Sequence, residues 1–155
     1  MYVRLLILLG LAGGISCFTV EPQNGTSLLV AGVGDYKVNS RKMTWNNARK
    51  ACREDGGHLV VINSDDEAAH LLRTMTSSHF PEVWVGIHDL FVEGEWATVT
   101  GEELKPPLYE KWFPSEPNNV GGVENCAIYS NLGGLDDRPC NRMHWFVCEI
   151  DAHGC

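Results

Sequence analysis

The sequence is poor in positive charge. Its 155 residues hold 12 Lys and Arg against 20 Asp and Glu, a formal charge of -8. With no Lys/Arg-rich stretch, it lacks the electrostatic footprint that a phosphate backbone selects, which excludes nucleic acid as a partner. It also lacks any apolar run of the ~20 residues that a membrane-spanning helix needs. Internal repeats, low-complexity tracts and long linkers are absent. There is no C-x-x-C pair and no H-E-x-x-H spacing, which disfavours zinc, and no G-x-S-x-G elbow or other nucleophile-and-base arrangement, which disfavours an enzyme. What remains is one domain's length of chain, 44% hydrophobic and too apolar to be disordered.

The first 17 residues have one base, Arg4, an apolar run from Leu5 to Ile15 and then small residues, the layout of a secretory signal peptide. Export predicts an extracellular, disulfide-permissive location. A polar lead over 18–35 follows, carrying the single sequon Asn24-Gly25-Thr26 as a glycosylation candidate. One domain is expected over 36–150, with a tail at 151–155.

Within that domain, Thr44 stands as a helix N-cap, and Trp45, Ala48, Ala51 and Cys52 recur at helical spacing up to the stop signal Gly56-Gly57. Ser64-Asp65-Asp66-Glu67 has the form of a capping box. It opens a second helix with an apolar face of Ala68, Leu71, Leu72 and Met75. The runs Val83–Ile87, Glu95–Val99, Cys126–Tyr129 and His144–Cys148 read as strands. From Lys105 to Gly122 four prolines and two glycines forbid regular structure, so a long loop is expected there. Two helices followed by short strands and a long loop make an α+β domain.

Six cysteines are present, four of them inside the domain: Cys52, Cys126, Cys140 and Cys148. Four cysteines allow three connectivities, and spacing does not choose among them. Cys17 and Cys155 lie near the two ends. They pair with each other if Cys17 survives processing; otherwise Cys155 is an odd thiol suited to cross-linking a homo-oligomer.

The acids cluster around the loop. Glu116, Asn118, Glu124, Asp136 and Asp137 supply the mixture of carboxylate and amide oxygens that a hard cation wants, calcium taking six to eight oxygens at roughly 2.3–2.6 Å. Magnesium suits this set less well, because it keeps more of its water and is usually met by fewer carboxylates.

Taken together, these motifs resemble the C-type lectin-like domains. The carriers are the helix Thr44–Cys52, Trp84-Val85-Gly86-Ile87, Glu116-Pro117-Asn118, Glu124-Asn125-Cys126, Asp136-Asp137-Arg138-Pro139-Cys140 and Trp145-Phe146-Val147-Cys148-Glu149. The stretch from Gly86 to Trp96 is similar to arthropod haemolymph lectins, including those described as lipopolysaccharide-binding. The resemblance implies two helices packed on short antiparallel sheets with an irregular calcium-binding loop, disulfides Cys52 to Cys148 and Cys126 to Cys140, and a cis peptide before Pro117. It further implies a principal calcium site of Glu116, Asn118, Glu124, Asp136 and Asp137. Of these, Glu116, Asn118, Glu124 and Asp136 would bond neighbouring sugar hydroxyls. The Glu-Pro-Asn order implies a mannose, glucose or fucose type of glycan, against the Gln-Pro-Asp of galactose binders. A weaker second calcium position would draw on Asp89, Glu93, Asn119 and Asn125 with Glu124, having lost charge where Asn replaces Asp.

One departure stands out. Sugar-binding members usually carry Asn-Asp where this chain has Asp136-Asp137, and an ionised Asp136 cannot donate the hydrogen bond that an amide would. The expected function is a secreted calcium-dependent lectin, with an innate-immune role in recognising microbial surface polysaccharide. The alternative that Asp136 motivates is a protein-interaction module in which calcium is structural or absent.

Overall fold

The computed structural model describes residues 27, 28, 35–106 and 108–150. The segment expected to be a signal peptide, Cys17, Asn24, Cys155 and most of the lead and tail lie outside these residues.

Two helices carry the sequence periodicity into three dimensions. Helix α1 (Trp45–Glu54) buries Trp45, Ala48 and Cys52 on one face. Thr44 occupies its N-cap with extended backbone, but its hydroxyl makes no capping bond. The first helical N–H, that of Trp45, instead donates to the carbonyl of Cys140 at 3.0 Å, so a tertiary contact does the capping. Helix α2 (Asp65–Ser78) opens as the capping box predicts, the N–H of Glu67 donating to Ser64 Oγ at 3.2 Å. The returning bond differs by one residue, with Glu67 Oε2 accepting from the N–H of Asn63 at 2.7 Å. The other carboxylate oxygen accepts from the Tyr36 hydroxyl at 2.6 Å, which locks α2 to the sheet. Burial first, then that contact with Glu67, raises the Tyr36 phenol above its ordinary range. The buried face of α2 is Ala68, His70, Leu71, Thr74 and Met75, while Leu72 is half-buried at its border.

The strands are β1 (Ser27–Leu28), β2 (Asp35–Met43), β3 (Gly57–Leu59), β4 (Glu82–His88), β5 (Ala97–Thr98), β6 (Cys126–Ser130), β7 (Leu135–Arg138) and β8 (His144–Ile150). They form one sheet in the order β1-β2-β8-β4-β6-β7, with β3 also paired to β8 and β5 to β4. Pairing is antiparallel, as expected, except between β4 and β8, which run parallel with Val83 opposite Trp145. Strand β8 is the spine. Its first half pairs with β4 and its second half with β3, while β2 runs along its other edge. The expected strand over Glu95–Val99 contracts to Ala97–Thr98, and β2, β3 and β7 arise where the sequence gives little strand signal.

Two buried clusters fill the domain. Under α2 lie Tyr36, Val60, Ile62, Leu71, Met75, Val85, Ile87 and Val147; under α1 lie Trp45, Cys52, Leu59, Trp84, Ile128, Phe146 and Cys148. Gly86 lets the layers meet, since a Cβ there would stand 2.6 Å from the Leu59 carbonyl oxygen and 2.7 Å from Val99 Cγ2. The indoles of Trp45 and Trp84 are satisfied by the carbonyls of Val85 and Met43, each at 2.9 Å. Cys52 is bonded to Cys148 and Cys126 to Cys140, the two pairs that the family resemblance implies. The first ties α1 to β8. The second ties the start of β6 to the segment after β7, and so fixes the floor of the long loop.

Candidate functional site

The long loop is irregular apart from one 3-10 turn at Val120–Gly122. Its backbone is nonetheless partnered: the N–H of Tyr109 donates to Ile62, that of Phe113 to Leu135, and that of Leu135 to Lys111, all within 3.0 Å. An ordered loop without secondary structure needs such anchors, because buried peptide groups must be satisfied. The Glu116-Pro117 peptide is cis, and Ser115 and Asn119 adopt positive φ on either side of it. These bends bring the Glu116 side chain and the Asn118 N–H to β7, while the Asn118 side chain lies between Glu116 and the Val120 N–H.

There the carboxylates of Glu116, Asp136 and Asp137 gather, each offering an oxygen within 4.8 Å of the others. Asp137, fully buried, accepts from the N–H groups of Asn118 and Asn119 at 3.0 and 2.7 Å and so pins the loop to the strand. The Asn118 amide donates to Glu116 Oε1 at 2.8 Å, while Glu116 Oε2 is buried without a hydrogen-bond partner among the described residues. Burial, the contact with Asp137 and the charges of Asp136 and Asp137 push Glu116 up to about 7, with Arg138 pulling the other way. Carboxylates gathered this closely repel one another unless one holds a proton or a cation lies between them. Burial also raises Asp136, against the opposing charge of Arg138.

Arg138 is the residue that sequence reasoning passed over. Its guanidinium pairs with Asp136 and donates to the Asp137 carbonyl oxygen at 2.9 Å. The available signal was its position two residues after Asp136 on an extended strand, which places both side chains on one face.

Of the five residues expected at the principal site, Glu116, Asn118, Asp136 and Asp137 are brought together. Glu124 is buried nearby but outside the carboxylate trio, accepting from the Val120 N–H at 2.8 Å. The residues of the expected second position divide. Asn125 donates its amide to Asp89 at 3.1 Å and to Glu93 at 3.4 Å, while Asp89 also accepts from the Gly94 N–H. An NH2 group thus stands between the two acids. Asn119 faces elsewhere, accepting from the N–H of Glu124.

The residues fit a hard cation at the principal site. The set is all oxygen, three of its members are acids, and one buried carboxylate oxygen has no other partner. A soft or borderline metal would want the nitrogen or sulfur ligands that are missing from this group.

A family model described as "Lectin C-type domain" matches residues 41–150. The chain belongs to the C-type lectin domain family. This family is non-catalytic and binds carbohydrate. Among the curated relatives it resembles, a hemolymph lipopolysaccharide-binding protein of Periplaneta americana is 40% identical over 131 residues, 79% of this chain and 51% of that protein. The human CD209 antigen is 38% identical over 121 residues, 77% of this chain and 29% of that protein. The chain therefore spans about half of the first and less than a third of the second. Among solved structures, the carbohydrate-recognition domain of cow CD23, determined in the presence of GlcNAc2Man3 oligosaccharide, superimposes with a TM-score of 0.72 at 29% identity. That match covers 86% of this chain and 98% of that one. No helix among the described residues is long and apolar enough to cross a membrane.

Proposed function

We propose that this C-type lectin domain binds glycans through a calcium ion held by Glu116, Asn118, Asp136 and Asp137, with Glu124 completing the set from the neighbouring loop. The observation that carries this reading is the convergence of the three carboxylates, one of which keeps a buried oxygen unpartnered. Bound calcium would neutralise the acids and offer open coordination positions to vicinal hydroxyls. Glu116 supplies an acceptor to a sugar hydroxyl and Asn118 a donor, the polarity expected for mannose, glucose or fucose.

Asp136 lacks an amide hydrogen, and Arg138 answers that lack. Its guanidinium is part-exposed beside Asp136 and has donors to spare, so it takes the part of the missing amide toward a sugar oxygen. The second cation position is weak because the Asn125 amide already stands between Asp89 and Glu93.

The cockroach relative's name concerns lipopolysaccharide, and the cow CD23 structure was determined with a mannose-containing oligosaccharide. Both agree with a secreted protein that recognises glycans on microbial or host surfaces. A single shallow site of this kind binds a monosaccharide in the millimolar range, about -4 kcal/mol. Useful avidity then calls for several sites in one particle, and a Cys155 cross-link is the simplest route to a homo-oligomer. Retention on immobilised mannose in calcium, with release by chelator or free mannose, is the expected result. Passage through the column in calcium would refute the reading. Calcium binding without selectivity on a broad glycan array would favour the protein-interaction module instead.

A further inference from the structure

Half of the chain's 12 cations fall between Lys37 and Arg53, a stretch without a single Asp or Glu in a chain of charge -8. In sequence they are interspersed and form no run, but the helix sorts three of them. Asn46, Arg49, Lys50 and Arg53 recur at three- and four-residue steps along one flank of α1, beside the face that buries Trp45, Ala48 and Cys52. This flank of α1, which adjoins Trp45, is therefore a cationic stripe. Glu54 and Asp55 close it, and Asp55 is engaged by Lys37 at 2.6 Å.

Beside the first turn of α1 lies an exposed apolar loop. Leu90, Phe91 and Val92 are 51%, 84% and 50% exposed, three consecutive large side chains left open to solvent among the described residues. A relay of rings joins this loop to the helix. Trp45, the first residue of α1, meets His88 edge-on at 5.1 Å between centroids, and His88 meets Phe91 edge-on at 5.3 Å. The charge of Arg49 reaches the same histidine, where burial chiefly and then Arg49 hold the imidazole below its usual range against the opposing Asp89. Glu93 and Glu95 on the loop subtract from the positive field, but Glu93 is held by the Asn125 amide.

We propose that the cationic stripe of α1 and the Leu90-Phe91-Val92 loop together form a second binding face, for an anionic lipid surface, independent of calcium. Apolar side chains enter the acyl region while Arg49, Lys50 and Arg53 meet lipid phosphates. A soluble polyanion would use the stripe alone and leave Phe91 idle, so the juxtaposition of the two favours lipid. This face goes beyond glycan binding and draws on none of the residues at the carboxylate site.

The test is co-sedimentation of the full chain with phosphatidylcholine vesicles, with and without an equal share of phosphatidylglycerol, in chelator and without sugar. Binding to the mixed vesicles alone is expected. Phe91→Ser, and separately Arg49→Glu with Arg53→Glu, are each expected to weaken it at least about tenfold. Leu90→Ser gives a milder second variant, and unchanged melting and unchanged mannose retention certify that each variant is folded. Loss of binding in the charge variant but not in Phe91→Ser would reduce the face to a polyanion site and overturn the proposal. Equal binding to both vesicles, binding that requires calcium, or no binding to either would also overturn it. Failure of mannose retention with vesicle binding intact would count against the glycan reading alone.

Discussion

Asp137 pins the loop to β7 and is also a ligand of the proposed cation site. Asp137→Asn changes one atom and keeps the side chain's shape. In the wild type both carboxylate oxygens accept backbone N–H groups, from Asn118 at 3.0 Å and Asn119 at 2.7 Å, in full burial. The amide keeps one acceptor, now neutral, and turns its NH2 against the other N–H. Exchanging a charge-assisted bond for a neutral one and leaving two buried donors opposed costs roughly 2–4 kcal/mol. Relief of repulsion in the trio offsets little of this at pH 7, because Glu116, pushed up to about 7, is already partly protonated there. The net loss, about 2 kcal/mol, corresponds to a thirty-fold rise in the opening equilibrium of the loop. Amide hydrogen exchange in chelator measures it directly. Protection at Asn118 and Asn119 should fall about thirty-fold while that of β8 is retained. Undiminished protection at both amides would refute the assignment of Asp137 as the pin.

Other perturbations read other parts of the structure. The raised Glu116 gives a pH dependence with a definite sign: the ion-free folded state holds a proton that the unfolded chain releases, so stability in chelator falls as pH rises from about 4.5 through about 7. Melting points in chelator at pH 5 and pH 8 should show the lower value at pH 8. Calcium affinity should rise over the same interval, because the ion displaces that proton; affinity independent of pH would contradict this. Tyr36→Phe removes the hydroxyl bonded to Glu67 at 2.6 Å and should cost about 1–3 kcal/mol in urea unfolding, since a buried carboxylate loses a donor. Gly86→Ala places a Cβ 2.6 Å from the Leu59 carbonyl oxygen, and a loss of about 1–3 kcal/mol is expected by thermal melting.

The helices were legible because their apolar spacing and turn residues agree, and a local pattern suffices to specify them. Thr44 shows the boundary of that logic: the sequence marks a cap, yet the Cys140 carbonyl, brought close by the Cys126–Cys140 bond, receives the first N–H. Strand β7 reads Leu-Asp-Asp-Arg, a composition that disfavours strands. It forms because β6 offers it a complete antiparallel partner, so pairing overrides propensity. The polar β2 is a strand for the same reason, lying along β8. Ligand chemistry and resemblance to a family motif singled out Glu116, Asn118, Asp136 and Asp137, which the fold brings together. Local sequence did not reveal that Glu124 turns to the Val120 N–H or that the Asn125 amide stands between Asp89 and Glu93. Both depend on how the loop bends at Ser115, at the cis peptide and at Asn119.

Whether the carboxylate trio holds calcium is decided by calorimetric titration of calcium into the chelator-stripped protein at pH 7.5, beside Glu116→Ala. Saturable binding is expected in the wild type, with an affinity at least about tenfold weaker in Glu116→Ala, because a charged ligand is removed from the set. Absence of binding to the folded wild type, or equal affinity in the two proteins, would contradict calcium binding there.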